Sequence, residues 1–484
     1  MSLANRSSVD GAPLLHAEFE EKDSGAHTNP LWRPLEVFAR KFSPRPLMAT
    51  LKPSFLDRNA KPAKVHPTSW LDGIRGYASF CVFIYHFQHM FHQKYLLGYG
   101  SNGGIDDYWL IQLPIIRLIF TGGPMVSIFW VLSGVSLSLK PIQLARSQSW
   151  DKFFDTMFSS IFRRALRLYM PVYLVQICVI IAACLGMYNH AYTLSKDWPF
   201  GGTNEVQFEV FSSSTEQIRD WATVMWKFAN PFRPSRPKYD VHLWTIPLEF
   251  RNSIVLFAAL VGYAKLRPRI RVTLTAALYA FCVFVEEGDV ALFIAGMGLA
   301  EYLLIRDENA KQLPTAEKSS ETQSKRTKAI WAVVLYVGLH LLSWPAHKYE
   351  TSPGYMTIHK LAKPFFNSTE MTFQRMGAAI FLLALCGSEW LRVPFQTPLA
   401  VYLGKISFPL YIVHGPVNHI LGTSLVEFFW SCTGHESLFT YELGVIASWV
   451  CCAIVVVWLA DILMRTVDTP SVRFGRSLQN KWSC

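Results

Sequence analysis

The stretch Leu71 to Phe91, LDGIRGYASFCVFIYHFQHMF, is long and apolar enough to cross a bilayer as one helix. It nevertheless carries Asp72, Arg75, His86 and His89. Ionisable groups at membrane depth are costly and mark sites, pathways or relays. Arg75 and His86 are eleven residues apart, which at about 100° per residue makes three turns plus about 20°. The two side chains therefore share a face, roughly 16 Å apart along the axis. A cation near one end and a titratable imidazole near the other suit an elongated anionic ligand.

The rest of the 484-residue chain is built to match: 51% is hydrophobic and only 17% is charged. Mean hydropathy is +0.20. Lys and Arg outnumber Asp and Glu by 46 to 35. In a soluble chain such an excess suggests nucleic acid, but no nucleic-acid-binding motif accompanies it. Here the charge lies between long apolar runs, as expected of cytosolic loops beside anionic lipid. The cysteines show neither a disulfide framework nor zinc spacing. Cys81, Cys178, Cys184, Cys282, Cys386, Cys451 and Cys452 lie in apolar segments, and only Cys432 and Cys484 do not. Cys484 is the last residue of KWSC, so no prenylation box is expected.

The fold class read from these features is an all-α integral membrane protein, a polytopic bundle of about ten transmembrane helices. The apolar spans lie near 71–91, 119–139, 168–187, 244–264, 270–286, 289–305, 329–345, 376–391, 398–420 and 441–464. Residues 1–66 form a cytosolic, largely disordered tail, 67–466 the membrane domain, and 467–484 a short cytosolic tail. Within the first tail, polar up to Pro30, Leu31–Phe42 reads either as a surface amphipathic helix or as more basic tail. Loop charges set the orientation. Loops 140–167, 265–269 and 306–328 and the segment after 464 are rich in Lys and Arg, whereas 287–288 and 421–440 have none. Loops 188–243 and 346–375 carry several basic residues, and long loops obey the rule less strictly. Both termini are expected in the cytosol. Asn367-Ser368-Thr369 is a glycosylation sequon on the far side, which makes the chain a candidate glycoprotein, while Asn5-Arg6-Ser7 falls on the cytosolic tail.

This orientation makes depth readable. Arg75 lies near the cytosolic face. His86 lies about five residues, or roughly 7.5 Å, below the outer face. In HLWTIPLEF, Glu249 is about five residues below that face, and in YLGKISFPLYIVHGPV, His414 is about six below it. His86, Glu249 and His414 are therefore the candidate catalytic residues. FRRALRLYMP brings Arg163, Arg164 and Arg167 to the cytosolic edge. With Arg75, and with Lys405 as a further member, they form a cationic mouth suited to phosphates, which guanidinium forks bind in pairs. An arm of about 16 Å would span from there to His86, the reach of phosphopantetheine.

Blander readings stand beside each of these. A lone His in an apolar helix is often a bonded structural group. The three arginines also serve as topology signals. Glu249 could partner Arg251 or another buried cation. Ser133-Gly134 in FWVLSGVSLSL reads as a close-packing site rather than chemistry. His86, His89 and His92 step around the helix without a matching carboxylate cluster, so no metal site is expected.

Taken together, LDGIRGYASFCVFIYHF (Arg75 and His86 as R-x10-H), IFWVLSGVSLSL, RRALRLYMP, HLWTIPLEF and YLGKISFPLYIVHGP resemble, in order and spread over about 71–464, the acyltransferase-3 family of integral-membrane acyltransferases. The variants GYASF, HLWTIPLEF and PLYIVHG are most similar to fungal members. The resemblance implies transfer of an acyl group, usually acetyl, from cytosolic acyl-CoA as co-substrate to a hydroxyl, with essential roles at Arg75 and His86. It implies no permanently bound cofactor. Fungal relatives are linked to terpenoid and polyketide secondary metabolites, so the acceptor implied is small, hydroxylated and lipophilic. The extra C-terminal esterase domain of some bacterial members is not expected, since only about twenty residues follow the last span. The expected location is the endoplasmic reticulum or another endomembrane. The alternative of a different class is a transporter or exporter of a metabolite or acyl group with His86 in a proton relay. No internal repeat supports it.

Overall fold

The computed structural model describes residues 51–56, 66–101, 107–205, 208–312 and 324–483. The polar stretch up to Pro30, the surface helix considered for Leu31–Phe42, the Asn5 sequon and Cys484 lie outside them. Among the described residues there is no strand, and one isolated bridge joins Leu97 to His347. The longer helices are α1 (Ser69–His89), α2 (Gly123–Arg146) and α3 (Trp150–Cys184), then the short α4 (Asn189–Lys196) and α5 (Ser214–Phe228). They are followed by α6 (Thr245–Tyr263), α7 (Pro268–Phe284), α8 (Gly288–Gln312), α9 (Lys325–Leu342), α10 (Met356–Ala362) and α11 (Thr369–Gly387). The last are α12 (Pro398–Val417), α13 (Thr423–Thr433), α14 (Leu438–Leu463) and α15 (Thr469–Trp482). Side-chain caps mark several starts: Ser324, Ser368, Thr397 and Ser437 each accept an N–H from the first turn of α9, α11, α12 and α14.

Each apolar span read from the sequence falls on one of these helices. By length and composition alone, five stretches can cross a membrane: Gly123–Arg146, Trp150–Cys184, Val241–Tyr263, Gly288–Asn309 and Leu438–Trp482. A sixth arises if Thr369–Gly387 and Trp390–Gln396, bent by 103°, form one span. The others are too short or too polar. At 17 residues α7 is short, and α1 is diluted by Asp72, Arg75, His86 and Gln88. The polarity that draws attention to α1 is what removes it from a hydropathy count.

Contacts near the helix ends and in the loops sort them into two ends. At one, Glu442 meets Lys94 at 2.6 Å and His92 at 3.2 Å. There the His347 N–H donates to Leu96 O at 3.0 Å, and the Asn367 amide donates to Glu286 at 2.9 Å. At the other, Glu301 accepts from Arg271 at 2.7 and 2.8 Å and from Arg146 at 2.6 Å. The Ser159 hydroxyl donates there to Gln479 at 2.9 Å. Loop 346–375, basic in sequence, thus joins the end where the charge-poor loops meet.

The core has two main parts that meet at α1. Ile74, Ala78 and Val82 face the cluster built on α2, α6, α8 and α11. Phe83 and Phe87 face the one shared with α12 and α14. The most extensive helix pairings are α1 with α12 and α2 with α8. Lipid tails are as apolar as Leu, so close backbone approach must hold such pairs. Gly134 and Gly296 supply it: a Cβ on either would overlap a carbonyl of the facing helix, Phe293 O or Val131 O. The packing role read for Ser133-Gly134 is therefore met at Gly134.

Candidate active site

The end of α1 at His89 sets the site. It leaves His86 one turn from the helix terminus, with its side chain 21% exposed. The loop before α5 closes over that terminus. The Thr203 N–H donates to His89 O at 2.8 Å, and Gly202 has no room for a Cβ against the His89 and Met90 carbonyls. This delivers Glu205, 8% exposed, among the imidazoles. Its Oε1 lies 2.9 Å from Nδ1 of His86, and its Oε2 lies 2.8 Å from Nε2 of His419. Nε2 of His242 is 3.4 Å away.

His242 is held from its other side as well. Asp240 lies 2.8 Å from its Nδ1 and caps the 3-10 turn Val241–Trp244 by accepting the His242 N–H. The Tyr411 hydroxyl donates to the His242 carbonyl. His414, wholly buried, turns Nδ1 to Leu410 O at 3.3 Å and leaves Nε2 without a partner. Ring centroids are 4.0 Å apart for His86 and His242, 4.7 Å for His242 and His414, and 5.3 Å for His86 and His414. Gly415 permits this: a Cβ there would overlap Nδ1 of His242 and lie 2.8 Å from Asp240. Past Pro416, α12 widens into a π turn over Asn418–Gly422. That turn brings His419 round to Glu205, five residues after His414, which a regular α-helix would place on another face.

Burial opposes ionisation of Glu205, but the imidazoles of His242, His419 and His86 outweigh it and hold the carboxyl well below the usual carboxylate range. An ionised carboxylate only accepts hydrogen bonds. His86 therefore carries a proton on Nδ1, and its neutral form keeps a lone pair on Nε2. A carboxylate-oriented imidazole of this kind can take a proton from a hydroxyl.

The second layer is built on α3. The Arg164 Nη2 donates to Glu249 at 2.6 Å. Glu249 therefore does not join His86 and His414, as its depth in the sequence suggested. It lies seven residues beyond His242, or roughly 10 Å further along the axis, at the level of the arginines. The carboxylates among the histidines are Glu205 and Asp240 instead. Arg163, Arg164, Arg167 and Lys140 line a cavity of about 430 Å³. Its opposite wall is α15, through Ser471, Gly475 and Gln479. Arg75 is paired with Asp72 at 3.1 Å and lies within electrostatic range of Arg164 and Arg167. Lys405 is exposed and is not part of the cavity wall.

Glu205, Asp240, His242 and His419 escaped the sequence reading. Glu205 sits in a long loop to which no depth could be assigned. His242 opens HLWTIPLEF but lies just before the apolar span that begins near 244. His419 depends on the π turn. The available signal was that binding and catalytic residues concentrate on long loops held by a rigid scaffold.

The chain is similar to known acyltransferases along most of its length. It is 29% identical over 455 residues to the O-acetyltransferase PaAT-1 of Phomopsis amygdali, covering 89% of this chain and 88% of the relative. It is 27% identical over 458 residues to the acyltransferase clz18 of Cochliobolus lunatus, covering 85% and 95%. It is 26% identical over 444 residues to the acyltransferase R4 of a Phoma species, covering 84% and 94%. No solved structure matches. The acyltransferase-3 family, described as an acyltransferase domain, matches residues 68–465. Its match spans both the histidine cluster and the arginine layer, and the chain belongs to this family of acyltransferases.

Proposed function

We propose that the protein moves an acetyl group from acetyl-CoA to a hydroxyl of a small lipophilic acceptor, a fungal secondary metabolite such as a terpenoid or polyketide. The observation that carries this reading is the pairing of His86 with Glu205 on the helix that also bears Arg75. The arginine-lined cavity supports a cytosolic seat for the CoA phosphates, with Arg163, Arg164 and Arg167 on its wall and Arg75 on the way to His86. The pantetheine arm then runs along α1 over about 16 Å.

In the transfer step, Nε2 of His86 takes the acceptor's hydroxyl proton as the oxygen attacks the thioester carbonyl. The C–S bond breaks, the C–O bond of the ester remains, and the imidazolium returns the proton to the leaving CoA sulfur. Glu205 holds the ring by Nδ1 and stabilises the positive charge that develops on it. His414, facing His86 across the site, contributes to seating the acceptor hydroxyl.

The catalytic unit is the membrane domain 67–466, embedded in an endomembrane such as the endoplasmic reticulum. Ten crossings with both termini in the cytosol agree with the two sets of loop contacts. Asn367 then lies on the luminal side as a glycosylation site. The test is incubation of the purified protein with labelled acetyl-CoA and candidate alcohols. Acetyl ester formation that requires His86 supports the reading. Export of the alcohol from vesicles without covalent change would replace it by a transporter.

A further inference from the structure

The histidine cluster has a second chemical capability. One ring nitrogen from each of His86, His242 and His414 lies within 4.8 Å of one from each of the others. Every Nδ1 in this set already faces an oxygen acceptor. His86 has Glu205 at 2.9 Å, His242 has Asp240 at 2.8 Å, and His414 has Leu410 O at 3.3 Å. Metal-ligating histidines are held in this manner, with the second nitrogen donating to a carboxylate or a backbone carbonyl. The nitrogens that turn to a metal are then the Nε2 atoms, that of His242 being the one that must give up its 3.4 Å contact with Glu205. That of His414 is fully buried and has no partner. Among the described residues no thiolate joins the set, so the donors are imidazoles, with the carboxylates of Glu205 and Asp240 beside them.

We propose that His86, His242 and His414 form a binding site for a zinc-class divalent transition ion, and that the ion blocks acyl transfer. Three imidazole nitrogens with an open fourth position suit Zn²⁺, and Cu²⁺ and Ni²⁺ share the preference for imidazole. Glu205, 3.4 Å from Nε2 of His242, is placed to shift from that nitrogen to the ion. Hard ions such as Mg²⁺ and Ca²⁺ prefer oxygen ligands and six or more of them, which this pocket does not offer. Blocking follows from the atom shared: the lone pair on Nε2 of His86 cannot bind the ion and accept the acceptor's proton at once. Only the inhibitory half rests on the proposed transfer reaction.

The test uses full-length protein in detergent, stripped with chelator and titrated with Zn²⁺. Bound metal after desalting, thermal stability and acetyl transfer are measured together. About one Zn²⁺ per chain is expected, with a higher Tm and with transfer falling as the site fills and returning on chelation. His414→Gln and His242→Gln should each lower the stoichiometry at least tenfold while the stripped proteins unfold at near wild-type temperatures. His89→Gln, outside the set, should keep the metal. No stoichiometric binding, or equal binding in His414→Gln, overturns the site. Transfer that rises with bound Zn²⁺ overturns the block. Metal binding is read without any transfer reaction, so a protein that binds Zn²⁺ but acetylates no alcohol refutes the proposed function and leaves the site standing.

Discussion

Nδ1 of His86 lies 2.9 Å from Oε1 of Glu205, across 119 residues of sequence. The loop that carries Glu205 is pinned to the end of α1 by the Thr203–His89 hydrogen bond. A helix terminus and a loop thereby hold one imidazole–carboxylate pair. Glu205→Gln keeps the size but not the charge, so the imidazolium loses its stabilising carboxylate. We expect transfer to fall by about 10²-fold or more, within the range for a general-base system, with acyl-CoA affinity unchanged. Near-normal kcat in a folded Glu205→Gln protein would leave His86 acting alone.

His86→Ala should remain inserted and bind acyl-CoA while losing about 10²–10⁴-fold in turnover. His86→Gln should be nearly as inactive, because an amide cannot accept a proton at neutral pH. A merely structural His86 makes the opposite forecast, with Gln largely restoring activity. Single-turnover transfer, measured beside acyl-CoA binding, separates the two.

The arginines should divide by role. Arg163 lines the cavity, and its Nε donates to Ser159 O one turn earlier in α3; among the described residues no carboxylate pairs with it. Losing its charge-assisted contact to a phosphate, worth about 1.5–3 kcal/mol, raises KM for acyl-CoA roughly 10- to 150-fold at near-normal Tm. Arg164 is bonded to Glu249, and both are largely buried, at 7% and 14% exposed. Arg164→Ala strands that carboxylate and should cost about 3–5 kcal/mol of stability. Pairing it with Glu249→Gln should recover much of the loss. If Arg164→Ala changed KM alone, the ion pair would have no structural weight.

Gly415 tests how tightly the cluster is assembled. The Cβ of Gly415→Ala would overlap His242 and crowd Asp240. Overpacking of this kind typically costs about 1–3 kcal/mol, and the displaced His242 should lower kcat more than KM. The matched control is Gly434→Ala, where nothing lies within 4 Å although the glycine has φ +74. It should cost some stability and leave kcat unchanged. Equal kcat in the two variants would argue that His242 is not positioned by this contact.

Sidedness can be mapped by glycosylation. A sequon inserted near Ser431 should be modified, and one inserted within 313–323 should not. The natural site at Asn367, whose amide donates to Glu286, should carry a glycan that disappears in Asn367→Gln. The reverse pattern would put the arginine cavity on the luminal side and remove cytosolic acyl-CoA from the scheme.

The sequence by itself determined where the apolar spans lie, which connecting stretches are basic, and that His86 and Arg75 share a face of α1, but it read 150–167 as loop and 469–482 as tail, where the structure has the start of α3 and all of α15. The features it determined are properties of local composition and of a helical period, and both are short-range. It also brought Arg163, Arg164 and Arg167 together, since three residues within five positions of one helix cannot be far apart. What only the tertiary structure decided is which carboxylate meets which cation. Depth along a helix says nothing of the azimuth at which neighbouring helices meet, so Glu249 was level with His86 in the sequence and bonded to Arg164 in space. Glu205 lay beyond any such estimate, because a loop has no period, and its position depends on a hydrogen bond to His89 and a glycine at 202. His419 required a π turn that widens α12 beyond its ordinary spacing. Helix identity follows from the solvent each residue prefers, whereas the active site follows from how the backbone packs.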